Sequence, residues 1–120
     1  MLFEEFNRKY ILSDGQVTQL ACAFEHRQVQ VRLNIAKWNG QKREPCEIDI
    51  LFNEATEIDL LNSFDVSSYS DVVFVRTDMG EYYASFDPFG NSGQPGDNDN
   101  FVIKSREVVI FDGEEEFRLE

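Results

Sequence analysis

Side chains able to perform acid–base or nucleophilic chemistry are few in this chain of 120 residues. Its one histidine, His26, lies at the junction of two strand-like runs, where we expect a tight turn and a solvated side chain. No cysteine or serine nucleophile stands at a motif spacing from it. Cys22 and Cys46 have no Cys or His neighbour at the spacing of metal ligands, and two cysteines are too few for a disulfide scaffold. The sequence therefore predicts no catalytic residues and two reduced cysteines.

A phosphate or metal site has to be sought in the long polar segment at residues 87–100, which predicts a loop. Its glycines recur every third residue, but neither a GK[ST] sequence nor a helix follows them. Asp97 to Asn100 alternates Asp and Asn as positions 1 and 3 of a calcium loop do. Phe101 and Val102 then replace a third ligand and the required glycine. A solvated turn without metal or cofactor is favoured, and a ligand- or calcium-binding β module that uses this loop stays an alternative.

The charge of the chain is strongly acidic, with a formal net charge of -12 at pH 7. Residues 61–120 hold most of it, with 13 acidic and 4 basic side chains. Such a field disfavours nucleic acids and anionic membranes and accelerates encounter with a basic protein, although it also simply increases solubility. No apolar run approaches the length of a membrane span, and the first residues lack the basic start of a signal peptide. These features predict a cytoplasmic protein whose partner is a protein.

The candidate partner-binding residues are acidic side chains near the polar loop and the chain end, together with two aromatic side chains, because exposed aromatics dominate binding hot spots. They are Asp87, Asp97, Asp99, Asp112, Glu114, Glu115, Glu116, Tyr83 and Trp38. The acidic set makes one surface if the loop and the tail fold near each other. Two alternatives stay open: the tail is a solvated end, and Trp38 packs across its hairpin. Scattered carboxylates that assemble into a hydrolase or isomerase site are a further alternative.

The elements that position these residues form an α+β fold dominated by antiparallel β structure. Apolar and polar residues alternate from Gln28 to Ile35, which predicts the central strand of a meander over about residues 17–53. A two-residue loop at Asn39-Gly40 pairs Leu33 with Cys46 and Arg32 with Glu47. A tight turn at His26-Arg27 pairs Cys22 with Val31. The strands of the meander are expected at about 17–25, 28–38 and 41–53, with an edge near Pro45.

The remaining elements are shorter. An apolar periodicity from Leu2 to Tyr10 predicts an N-terminal helix, ended by the turn at residues 13–15. A second helix is predicted after Asn53, a candidate N-cap, because apolar residues recur there every three positions. An irregular strand is the alternative. These apolar residues are Ala55, Ile58, Leu61 and Phe64. A second hairpin is expected at 71–87, followed by the loop and by closing strands from Phe101, all in a single domain of residues 1–120.

Four patches occur in order along the chain: Asp14-Gly15, Ile48 to Phe52, Tyr82 to Pro88, and Phe101 to Arg106. Together they resemble the small acidic immunity proteins encoded beside polymorphic or contact-dependent bacterial toxins. The resemblance implies a stoichiometric inhibitor that covers a toxin's active site or an adjacent exosite, without catalysis, and it transfers no named binding residue. We therefore expect a non-catalytic binding protein that neutralises a basic toxin, with a nuclease as the favoured class of toxin.

Overall fold

The computed structural model describes residues 1–59 and 67–120. Within them the chain forms one α-helix, a single 3₁₀ turn (Phe24–His26) and eight strands. These are α1 (Phe3–Lys9), β1 (Tyr10–Ala23), β2 (Gln28–Asn39), β3 (Lys42–Asp59), β4 (Ser67–Ser68), β5 (Val73–Arg76), β6 (Tyr82–Asp87), β7 (Asn100–Asp112) and β8 (Glu115–Arg118). The expected class, mostly antiparallel β with a short helix, is confirmed.

The strands form a single antiparallel sheet that curls into a half-barrel. Its order is β4-β1-β2-β3-β7-β6-β5, and β8 pairs with β7 beside this path. Alternation along the strands turns one apolar face inward. Helix α1 packs against that face, where Phe3 and Phe6 contact Phe74 edge-on at ring-centroid distances of 5.1 and 5.9 Å. In the described part of the chain, no helix is long and apolar enough to cross a membrane.

The β2–β3 hairpin differs from the predicted register by two residues. Leu33 lies opposite Ile48, and the loop consists of Gly40 and Gln41, since Asn39 pairs with Lys42. Gly40 has φ +64°, and a glycine with positive φ at the first loop position is what a type II′ turn requires. Because the shift is even, each apolar residue keeps its predicted face.

The β1–β2 connection also differs by two residues from the predicted tight turn. Cys22 lies opposite Val29, and the connection contains the 3₁₀ turn followed by Arg27 at φ +52°. His26 is exposed in this turn, as expected. Cys22 and Cys46 are both free and half-buried, on β1 and β3 with β2 between them.

The predicted second helix is wrong over residues 53–59, which continue β3, while Leu61 and Phe64 lie outside the described residues. The ladder with β7 is interrupted by a bulge after Ala55, and Glu54 has φ +52°. A bulge adds one residue to a strand, so apolar side chains three positions apart can share a face. Ala55 and Ile58 show this pattern, because Ala55 is buried and Ile58 packs against the core. The helical spacing was therefore the signature of a bulged strand.

The two ends of the chain differ from expectation as well. Helix α1 ends at Lys9, since Tyr10 has extended dihedrals and begins β1. The acidic tail is a paired strand, β8, and its last residue joins the N-terminal residues through backbone hydrogen bonds of 2.9 Å (Phe3 N to Glu120 O) and 3.0 Å (Glu120 N to Met1 O). Pro45 lies where β3 pairs with β2 alone, but from Ile48 to Phe52 β3 lies between β2 and β7.

Candidate functional site

Strand β7 separates the predicted partner-binding residues into two groups. Asp87, Asp97 and Asp99 lie near its first residue, and Asp112 with the three glutamates lies at its other end. The strand has 13 residues, and an extended strand of that length spans up to about 40 Å at about 3.3 Å per residue. The structure therefore places the loop and the tail at opposite ends of β7 and does not bring them together into the single acidic surface that we expected.

Asp99 organises the loop between β6 and β7. It is 5% exposed, and its carboxylate accepts three hydrogen bonds. The donors are the Tyr83 hydroxyl at 2.6 Å, the Phe89 backbone N–H at 2.8 Å and the Gly96 backbone N–H at 2.9 Å. Tyr83 is itself buried on β6. Asp99 and Tyr83 therefore bind each other and hold the loop. Both were predicted to contact a partner, but the structure buries both side chains.

The protonation state of this pair follows from its surroundings. Burial by itself raises the pKa of Asp99, but the three hydrogen bonds together outweigh burial and lower that pKa below its usual range. Burial, followed by the hydrogen bond to Asp99, raises the pKa of Tyr83. Near neutral pH the pair is thus a carboxylate that accepts a bond from a neutral phenol.

This geometry does not favour a calcium ion at Asp99. Three donors are directed at its carboxylate oxygens, so a cation would have to displace them or meet their positive ends. Across residues 1–59 and 67–120, no group of three or more His, Cys, Asp or Glu side chains is arranged to hold a metal ion.

Exposed carboxylates surround this buried centre. Asp97 is exposed, and Asp87 is exposed and accepts a hydrogen bond from the Asn100 amide at 3.1 Å. A cleft of about 260 Å³ opens beside Asp97 and is also lined by Glu57, Asp59 and Lys104. We call Glu57, Asp59, Asp87, Asp97 and Lys104 the loop-end surface.

Sequence reasoning missed the contribution of β3 to the loop-end surface. Glu57 and Asp59 flank Ile58, and they pair with Lys104 and Val102 of β7. The alternation of these two acids around one apolar residue was the available signal, and the helix interpretation obscured it. Lys104 lies 3.6 Å from Glu57, so the single basic residue of this surface is already paired with one of its acids.

Asp112 is the centre of a second, part-buried network at the other end of β7. Its carboxylate accepts hydrogen bonds from the Tyr10 hydroxyl at 2.6 Å, the Lys37 ammonium at 2.9 Å and the Cys46 thiol at 3.6 Å. The four residues come from β1, β2, β3 and β7, and the Asp112 side chain is 12% exposed. Asp112, predicted as a partner contact, instead joins four strands.

The network around Asp112 is not arranged to activate a nucleophile. Burial, with the nearby Asp112 charge, raises the pKa of Cys46 to about 11, so this cysteine is a neutral thiol near pH 7. Burial raises the pKa of Asp112, but its donors outweigh burial and lower it. The hydrogen bond to Asp112 raises the pKa of Lys37 against the opposing effect of burial. The arrangement is that of a structural ion pair.

The remaining predicted residues are exposed near this second network. Glu114 lies in the β7–β8 turn, Glu115 and Glu116 lie on β8, and all three are exposed. Trp38 is 43% exposed and pairs with Arg43 across the β2–β3 hairpin. Exposed basic side chains also occur on this hairpin, at Lys42 and Arg43. The tail end therefore carries mixed charge, whereas acids dominate the loop-end surface.

Neither a protein-family model, nor a curated protein, nor a solved structure matches this chain. The resemblance to immunity proteins therefore stays a prediction.

Proposed function

We propose that the protein is a non-catalytic binding protein of the immunity type, which neutralises a cognate basic toxin by stoichiometric binding. A nuclease is the favoured class of toxin. The observation that carries this proposal is the loop-end surface, where four carboxylates accompany one lysine that is already paired. Lysine- and arginine-rich surfaces, such as those with which nucleases hold phosphates, are complementary to it.

The rigidity of the scaffold supports the same proposal. The carboxylates of this surface come from β3, from β6 and from a loop tied to a buried aspartate. Groups held in place before binding lose less conformational entropy on association, so more of the contact energy appears as affinity.

Electrostatic steering is the first step of the proposed mechanism. With a net charge of -12, the protein attracts a basic partner over distances of about a Debye length, roughly 8 Å at physiological salt. Apolar contacts formed after encounter then limit dissociation. We place this binding in the cytoplasm, where free thiols such as those of Cys22 and Cys46 stay reduced.

The protonation states support binding over catalysis. Asp99 and Asp112 each accept three hydrogen bonds, which lower their pKa values, and a carboxylate whose pKa is held low is a weak general base near neutral pH. Cys46 holds its proton near pH 7.

The test uses the product of the reading frame immediately upstream of this one. We expect that product to arrest growth of a bacterial host, and co-expression of this protein to restore growth through a 1:1 complex. Association measured by stopped flow should slow at least about tenfold between 50 and 500 mM salt, with a much smaller change in dissociation. A non-toxic upstream product, or a toxic one that forms no complex, would contradict the proposal.

A further inference from the structure

Phe89 is the exposed aromatic side chain of the loop between β6 and β7. It is 73% exposed, and its neighbours in the loop are glycine, proline and polar residues. Single exposed hydrophobic residues are common on protein surfaces, so exposure alone does not indicate a binding site. Two further observations distinguish Phe89 from other exposed apolar residues such as Met79.

The first observation is that the backbone of Phe89 is anchored to a buried group. Its N–H donates to Asp99 at 2.8 Å, and the same carboxylate accepts the N–H of Gly96 at 2.9 Å. One buried side chain thus ties two points of the loop that are seven residues apart. The hydrogen bond between Asn100 and Asp87 closes the base of the loop. The phenyl ring is therefore carried on a fixed backbone, which lowers the entropy lost when it enters a partner.

The second observation is the charge of the loop that carries the ring. Asp87 precedes Phe89 by two residues, Asp97 follows in the same loop, and both are exposed. The loop-end cleft, with Glu57 and Asp59, adjoins Asp97. An exposed aromatic side chain on a loop that also carries exposed carboxylates has the composition of a binding hot spot, in which an apolar anchor is accompanied by a polar rim.

We infer that Phe89 is the apolar anchor of the interface and that the partner is a protein with an apolar recess bordered by lysine or arginine. This inference rests on the proposed function. Phe89 enters the recess, and Asp87 and Asp97 meet the basic border. The charge complementarity selects such a partner over nucleic acid or an anionic membrane, both of which the carboxylates repel.

The first arm of the test uses matched synthetic peptides with the full ¹⁵N-labelled chain. One peptide alternates arginine and leucine, a second alternates arginine and glycine, and a third alternates glutamate and leucine. We expect the arginine–leucine peptide to shift the amide signals of residues 89–97 saturably and to bind at least about fivefold more tightly than the other two. Phe89→Ser should remove this advantage, because the substitution deletes the ring and keeps the N–H that donates to Asp99.

Met79→Ser is the matched control. Met79 is 86% exposed in the β5–β6 turn, so the substitution removes a comparably exposed apolar side chain from another loop. It should leave peptide binding unchanged. Signal shifts that concentrate at residues 113–116, or equal losses in both variants, would overturn the inference.

The second arm separates this inference from the proposed function. If the upstream product is neutralised, Phe89→Ser should weaken the complex at least about tenfold while Met79→Ser does not. Neutralisation that survives Phe89→Ser at full affinity keeps the proposed function and refutes the anchor. Peptide binding that depends on Phe89, in a protein that rescues no growth, keeps the anchor and refutes the toxin role.

Discussion

The two ends of β7 carry the same motif put to different uses. At each end a tyrosine hydroxyl donates to an aspartate at 2.6 Å, from Tyr83 to the buried Asp99 and from Tyr10 to the part-buried Asp112. The other donors differ. Asp99 receives backbone N–H groups of one loop, whereas Asp112 receives side chains from two further strands. The first network orders a loop and the second joins the sheet, so equal chemistry produces local order in one place and global stability in the other.

The largest expected effect follows from breaking the second network. Asp112→Ala leaves the partly buried Lys37 ammonium without its carboxylate and removes the acceptor of Tyr10. We expect the free energy of unfolding, measured by urea denaturation, to fall by about 2–3 kcal/mol. Glu116→Ala, on the neighbouring exposed strand, is the control and should change it by less than about 0.5 kcal/mol. Similar losses in both variants would show that Asp112 does not join the strands as described.

Breaking the first network should cost less global stability and have a local signature. Asp99→Ala removes the acceptor of two loop N–H groups, which water can reach once the loop opens. We expect a loss of about 1–2 kcal/mol in the free energy of unfolding. Hydrogen exchange should accelerate most at Phe89 and Gly96, while amides of β2 and β3 keep their protection. Uniform acceleration across the sheet would mean that the two networks are equivalent.

Both networks should lower the free energy of unfolding as the pH falls in the acid range. The pKa values of Asp99 and Asp112 are lowered in the folded protein, so the unfolded chain takes up protons first. Their contribution is fully present above the ordinary carboxyl pKa of about 3.9, and it is lost as pH falls through the lower folded-state values. Urea denaturation midpoints should be measured between pH 7 and pH 2 for the unsubstituted protein and for the double variant Asp99→Asn/Asp112→Asn. Below pH 4 the midpoint of the double variant should decrease less steeply with falling pH.

The smallest expected effect is that of calcium on the loop end. Because donors occupy the Asp99 carboxylate, millimolar calcium should leave the melting temperature unchanged and release no heat in calorimetry. A rise in melting temperature that Asp97→Ala abolishes would support the calcium-binding module instead.

Much of the fold was predictable, because local patterns carry it. The alternation in β2 gave the correct buried face, and the hairpin at residues 71–87 was expected where β5 and β6 lie. The candidate site was less predictable. Asp87 and Asp97 are exposed as expected, but Asp99 is enclosed, and no local pattern distinguishes one aspartate of Asp97-Asn98-Asp99 from the other.

The sequence by itself determined which strand faces are apolar, the excess of negative charge and the scarcity of catalytic side chains. Only the tertiary structure decided the strand registers, the bulge in β3 and which carboxylates are buried. The physical reason is distance along the chain. Side-chain alternation is a local property that survives a shift of two residues, whereas a carboxylate is buried only where donors meet it. Those donors come from remote positions, such as Tyr10, which is 102 residues from Asp112.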